Sequence, residues 1–308
     1  WKPKKYGGAY GNNGFYLPFE QDYTVEGFNT VVYKGTAVNH YIGGVGFTPD
    51  FVWTKCRSAT KQHILVDAVR GGDKNLMSDS TEAENSSANR KLTLGAADGY
   101  VIDSNSGHLN ESDKTYVSWN WDMGGSNANN TTGDIDSVVR ANATYGQSIV
   151  SYTGNGTAGA TVGHGLSSTP EMIILKNRES SVGWVVYHKD NTAAPATDAL
   201  RLDGTNATTD DNFWNDTVPS SSVINLGTYA DVNASGGTFI AYAFHSVTGY
   251  SKFGTYTGSG SAGSPTVTTG FPPAFLMVKR TDSASGWLMY DNVRNPTSTG
   301  NSNVLLAN

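Results

Sequence analysis

The stretch Gly46-Phe47-Thr48-Pro49-Asp50-Phe51-Val52-Trp53-Thr54-Lys55 returns as Pro170-Glu171-Met172-Ile173-Ile174-Leu175-Lys176. It returns again as Gly270-Phe271-Pro272-Pro273-Ala274-Phe275-Leu276-Met277-Val278-Lys279. Pro to Lys is six residues each time, and eight residues past each Lys stands a second apolar run: His63-Ile64-Leu65-Val66, Trp184-Val185-Val186-Tyr187 and Trp287-Leu288-Met289-Tyr290. Upstream lies a Tyr-x-Gly: Tyr33-Lys34-Gly35, Tyr152-Thr153-Gly154 and Tyr256-Thr257-Gly258. Short continuous apolar runs bounded by turn residues read as buried strands, and a proline at a strand's first position loses no ladder bond. A last element recurs twice: residues 110–121, ending Thr115-Tyr116-Val117-Ser118-Trp119-Asn120-Trp121, align without gaps with 233–244, ending Thr238-Phe239-Ile240-Ala241-Tyr242-Ala243-Phe244. Its alternation of faces is that of a strand.

These copies divide the chain into two full units, about 24–122 and 133–247, and a third, incomplete one at 248–308. Residues 123–132, rich in Gly and Asn, read as the linker between the first two, and residues 1–23 as a connector or the tail of a preceding domain. A period above 100 residues is too long for a solenoid, so each unit is a module of domain size. The expected fold is all-β: tandem antiparallel β-sandwich modules. Lys61–Val69 could form a short helix, but its copies read as strands. The third unit stops before the strand equivalent to Thr115–Trp121. A sheet edge is therefore expected to need cover from residues beyond 308 or from a neighbouring subunit, with Tyr10–Phe19 a candidate donor. The opening at Trp1 is read as processing or as a piece of a longer protein.

Composition narrows the function. The 308 residues include 36 Gly, 11 Phe, 7 Trp and 16 Tyr but one cysteine, and the net charge is −6. A net negative chain without a basic run is a poor surface for nucleic acid. No 18-residue apolar stretch is present, and Lys2, Lys4 and Lys5, with no apolar run behind them, are too few to read as a signal peptide. Cys56 alone makes no internal disulfide.

No histidine pair stands at metal-ligand spacing, and there is neither a nucleophile elbow nor a P-loop. Asp210, Asp211, Asn212, Asn215 and Asp216 form an oxygen-rich cluster, and Asp134 with Asp136 a second. They could hold Ca²⁺ or supply two glycosidase carboxylates, but solvated turns are the favoured reading, so no catalytic residue, metal or cofactor is assigned. Lys55, Lys176 and Lys279, with Arg57, Arg178 and Arg280, repeat as a basic pair, read as charged strand ends that guard an edge. Trp53, Trp119, Trp184, Tyr242 and Trp287 occupy repeated strand positions and read as core. Trp214, in the polar run Asn212-Phe213-Trp214-Asn215-Asp216, and Tyr229 lack that excuse and are the candidates for stacking on a glycan. The Asn-x-Ser/Thr triplets, such as those at Asn142 and Asn206, are taken as compositional.

Residues 142–166, from Asn142-Ala143-Thr144-Tyr145-Gly146 to Val162-Gly163-His164-Gly165-Leu166, are similar to a module of tail-fibre proteins of marine bacteriophages. Phe213-Trp214-Asn215-Asp216-Thr217, and the run from Ile240-Ala241-Tyr242-Ala243-Phe244 through Gly249-Tyr250-Ser251-Lys252-Phe253-Gly254, resemble the same module. Tyr10–Leu17 resembles the end of a lectin-like sandwich that precedes it. Ala243 departs from the pattern, standing where many relatives carry cysteine. The resemblance implies a virion appendage without catalytic residues: a fibre, usually a homotrimer, that joins other tail proteins and displays loops to a host surface glycan or receptor. A bacterial surface or extracellular filament protein and a glycan depolymerase are the alternatives.

Overall fold

The computed structural model describes residues 26–104, 106–261, 263–295 and 303–308; the connector at 1–23, including Tyr10–Phe19, lies outside them. The chain is all-β and antiparallel. In the first unit, β1 (Phe28–Lys34), β3 (Phe51–Cys56), β4 (Ile64–Asp67), β5 (Leu76–Met77) and β8 (Thr115–Trp121) form a sheet ordered β1-β8-β3-β4-β5. A second sheet is ordered β2-β7-β6, from β2 (His40–Ile42), β6 (Leu92–Ala96) and β7 (Gly99–Ile102). Ile42, Val52, Ile64, Val66, Leu92 and Tyr100 pack between the two layers, which is the sandwich core.

The second unit repeats this plan. Its large sheet is ordered β9-β10-β11-β18-β13-β14-β15-β16. The strands are β9 (Ala128–Asn130), β10 (Ser137–Asn142), β11 (Gln147–Thr153), β13 (Met172–Asn177), β14 (Val185–His188), β15 (Asp198–Arg201), β16 (Thr209–Asp210) and β18 (Thr238–Phe244). The pair β12 (Ala160–Gly163) and β17 (Val223–Leu226), with the single-turn helix α1 (Ala230–Asn233), accompanies it. The linker is less free than its composition suggests: Ala128–Asn130 pairs with β10 as an edge strand, and Met123 is buried with its N–H on Asp50. Lys61–Val69 contributes β4, as its copies implied.

Register repeats with the sequence. Phe51 faces Asp67, Met172 faces His188, and Phe275 faces Asp291 across the pair formed by β19 (Phe275–Val278) and β20 (Leu288–Asp291). The last strand of each complete unit inserts between its Tyr-x-Gly strand and its Pro-to-Lys strand: β8 between β1 and β3, β18 between β11 and β13. The Tyr-x-Gly explains itself here. Tyr33 stacks on Tyr116 (centroids 5.1 Å apart) and donates to the Leu109 carbonyl; Tyr152 stacks on Phe239 (5.0 Å) and donates to Val232 O. A Cβ on Gly35 would sit 2.1 Å from Glu111 O, and one on Gly154 2.5 Å from Ala234 O, so only glycine admits the loop leading into the last strand.

The third unit is a three-stranded sheet, β19-β20-β21, with β21 at Leu305–Leu306. Among the described residues nothing pairs with the free side of β19, and no second layer covers it. Leu276 is 47% exposed, whereas its counterparts Val52 and Ile173 are at 0%.

Candidate functional site

The three units meet on one shared core. Phe51, Trp53, Trp119, Trp184, Tyr242 and Trp287 belong to a single buried cluster. These are the repeated aromatics, so their recurrence serves contact between units as well as packing within each.

Polar side chains fix the junction. After β4, Arg70 folds back on Asp67: its Nε donates to Oδ2 at 2.6 Å, its backbone N–H to Oδ1 at 2.9 Å, and its Nη2 to Leu65 O at 3.1 Å. Arg294 makes the same three bonds after β20, to Asp291 (2.5 and 2.8 Å) and Met289 O (3.3 Å). Each cradle receives an aromatic from another unit's last strand. Tyr242 donates its hydroxyl to Asp67 at 2.8 Å and accepts from Arg70 at 3.1 Å; Trp119 donates its indole N–H to Asp291 at 3.0 Å, under the Arg294 guanidinium. Thus unit 2 docks on unit 1, and unit 1 on unit 3.

The residues that open the second apolar run follow the same circuit. Trp184 donates to Met77 O and Trp287 to Arg201 O, both at 2.8 Å, so unit 2 grips unit 1 and unit 3 grips unit 2. Ser78 donates to Ala307 O at 2.6 Å and joins unit 1 to unit 3. Glu84 links units 1 and 2, accepting from Arg178 at 2.8 and 2.9 Å and from Arg70 at 3.3 Å. Burial alone would pull Arg70 down, but Asp67, Tyr242 and Glu84 outweigh it and hold the guanidinium more firmly charged than usual.

The motif Asp67-x-x-Arg70, repeated as Asp291-x-x-Arg294, escapes a search aimed at catalytic or metal spacing. Its signal is the recurrence of the pair at the same offset behind the apolar run. Unit 2 carries His188 and Asn191 there instead.

Trp214 is a correction. It is fully buried, donates its indole N–H to Asp198 O at 3.0 Å and packs edge-on to Tyr187, so it offers no face to a saccharide. The polar residues around it are turns that wrap a core anchor. Tyr229 is 44% exposed beside Phe213, and the two candidates do not form one surface. The repeated lysines are not edge guards. Lys176 is buried and its Nζ donates to Asn177 O and Ser180 O, and Lys279 donates to Arg280 O, so each closes the loop that follows its own strand. Asp134 is engaged by Thr161, whose N–H and hydroxyl both donate to it. Among the described residues no three His, Cys, Asp or Glu side chains gather as a metal site.

A profile of a protein family, described as a domain of unknown function, DUF7483, matches residues 24–308. The chain belongs to the DUF7483 family. No curated protein and no solved structure matches it.

A shallow groove beside Pro49, Gly72 and Leu94 ends on the ion pair of Asp50 with Arg140, which again joins units 1 and 2. Burial pushes the Asp50 carboxyl up to about 6, against the pull of Arg140. No described helix is long and apolar enough to cross a membrane.

Burial also lowers the fully buried His164 to about 4. Between pH 6.5 and 4 the unfolded chain binds a proton at this site that the folded chain refuses, so stability is lost as pH falls through that window. The contribution is at most about 3 kcal/mol. Asp50 acts with opposite sign, its folded form keeping a proton that the unfolded chain has released above pH 4. Denaturant unfolding of the parent and of His164→Gln at several pH values separates the two. The variant is expected to lose less stability from pH 6.5 to 4; equal slopes would refute the assignment.

Proposed function

We propose that this chain is a structural component of a virion fibre that displays loops for adhesion to a host surface. The single observation behind this is how its charged side chains are used. The close pairs of Asp67 with Arg70, Asp291 with Arg294, Glu84 with Arg178 and Asp50 with Arg140 are all spent on joining or bracing units. A rod or tip built to bear load calls for such joints. The resemblance of residues 142–166 to tail-fibre modules of marine bacteriophages points the same way. Affinity in such an appendage comes from many weak contacts in parallel, which identical loops on a homo-oligomer, a trimer by the resemblance, would supply.

Antibodies to this chain should label the tails of purified virions; labelling confined to host cell envelopes would favour the filament reading instead. Tyr229 is the exposed aromatic proposed to touch glycan. Tyr229→Ala is expected to lower binding to host polysaccharide at least severalfold, in line with loss of an aromatic stacking contact, with no new reducing ends released by either protein. Release of oligosaccharides by the parent would overturn the non-enzymatic reading.

A further inference from the structure

The third unit carries the Tyr-x-Gly and the Pro-to-Lys strand that flank the last strand in the other two units, and among the described residues no strand lies between them. Tyr256, the counterpart of the stacked Tyr33 and Tyr152, is 51% exposed. A Cβ on Gly258 would meet nothing within 4 Å, where those on Gly35 and Gly154 would strike carbonyls. Among the described residues one side of β19 has no ladder partner, although its counterparts β3 and β13 pair with β8 and β18 there. The segment 252–258 forms no strand, whereas its counterparts β1 and β11 are strands paired with β8 and β18.

A fifth observation lies in another unit. Tyr242 of unit 2 fills the cradle of unit 1, and Trp119 of unit 1 fills that of unit 3. The circuit closes when an aromatic from a last strand of unit 3 reaches His188 and Asn191. Asn191 is 6% exposed; its Oδ1 accepts from Thr208, and its Nδ2 has no partner. His188 Nδ1 accepts the Asp190 N–H, which leaves Nε2 as the protonated nitrogen. This cradle therefore presents donors, unlike the Asp-containing cradles of units 1 and 3. Of the aromatics, only tyrosine brings an oxygen that accepts; tryptophan donates only.

We infer that the groove between residues 251–258 and β19 binds a partner segment of defined chemistry. The occupant is a twelve-residue stretch of the pattern Asn-x₄-Thr-aromatic-x-x-Tyr-x-aromatic. It adds as the central antiparallel strand, stacks its first aromatic on Tyr256 and lodges its tyrosine on His188 and Asn191. This goes beyond the fibre reading and does not depend on it. β-Strand addition to an exposed edge draws affinity from main-chain bonds and specificity from alternate side-chain pockets.

The probe is a synthetic peptide with the chain's own sequence 233–244, added to the full chain. Saturable binding is expected, with slowed amide exchange at 275–278 and not at 172–177. The peptide carrying Tyr242→Phe or Tyr242→Trp should bind about tenfold more weakly, the cost of leaving a buried donor unpaired. Three results overturn the inference: no saturable binding to the folded chain, equal binding of the tyrosine, phenylalanine and scrambled peptides, or protection that appears at 172–177. A chain lacking residues 1–23 tests another occupant. If it binds the peptide and the full chain does not, the N-terminal segment holds the groove and the inference fails. If the peptide instead breaks a dimer of the full chain, a second copy holds it and the inference likewise fails.

Discussion

Trp119→Ala is expected to destabilise the chain by about 3–5 kcal/mol, the range for truncating a fully buried large aromatic. Trp119 is at 0% exposure, lies edge-on to Trp53 and Phe275, and carries a hydrogen bond by which unit 1 holds Asp291 of unit 3. The loss should therefore register in two units. Denaturant midpoints should fall, and amide exchange should quicken in β20 as well as in β8. Trp119→Phe separates packing from the bond. It keeps a ring in the core but leaves the Asp291 carboxylate short of a donor, and should cost about 1–3 kcal/mol. Equal, small effects from both variants would mean that Trp119 is not a joint.

Arg70→Ala is expected to cost about 3–5 kcal/mol, because it strands the Asp67 carboxylate in a dry interior. Asp67 and Arg70 side chains are both at 0% exposure, and Tyr242 completes the set from unit 2. The pair itself need not be a large net gain. Removing one partner is what hurts, since the remaining charge keeps its desolvation cost without its counter-ion. Asp67→Asn combined with Arg70→Met removes both charges at once and should recover part of the loss. If the double variant is as unstable as Arg70→Ala, the explanation by an unpaired charge fails.

Much of this architecture was legible in the repeats. The Pro-to-Lys spacing, the run eight residues beyond it and the alternating last strand correspond to β3, β4 and β8 and their copies, in one register. Among the described residues nothing in the third unit takes the place of β8 and β18, a comparison that the two copies of that strand make possible. The junction was not legible. Trp119 and Tyr242 read as core from their repeated strand positions, and nothing in a periodic pattern says that the core they fill lies partly in another unit. Trp214 misled because its neighbours are polar: a turn can be solvated on its outside while its middle residue anchors the sheet. The lysines misled for the opposite reason. A charge at a strand end reads as solvent-facing, yet an ammonium can satisfy several carbonyls of a tight loop and be buried in doing so, as Lys176 is.

The central claim is that cyclic contacts make the three units one cooperative body. Native amide exchange of β20 in Arg70→Ala tests it most directly, since β20 lies in the third unit and Arg70 in the first. The expected result is that protection at Leu288–Asp291 falls by the same free energy as protection in β4. Loss of protection in β4 with β20 unchanged would contradict the account and return the chain to three independent beads.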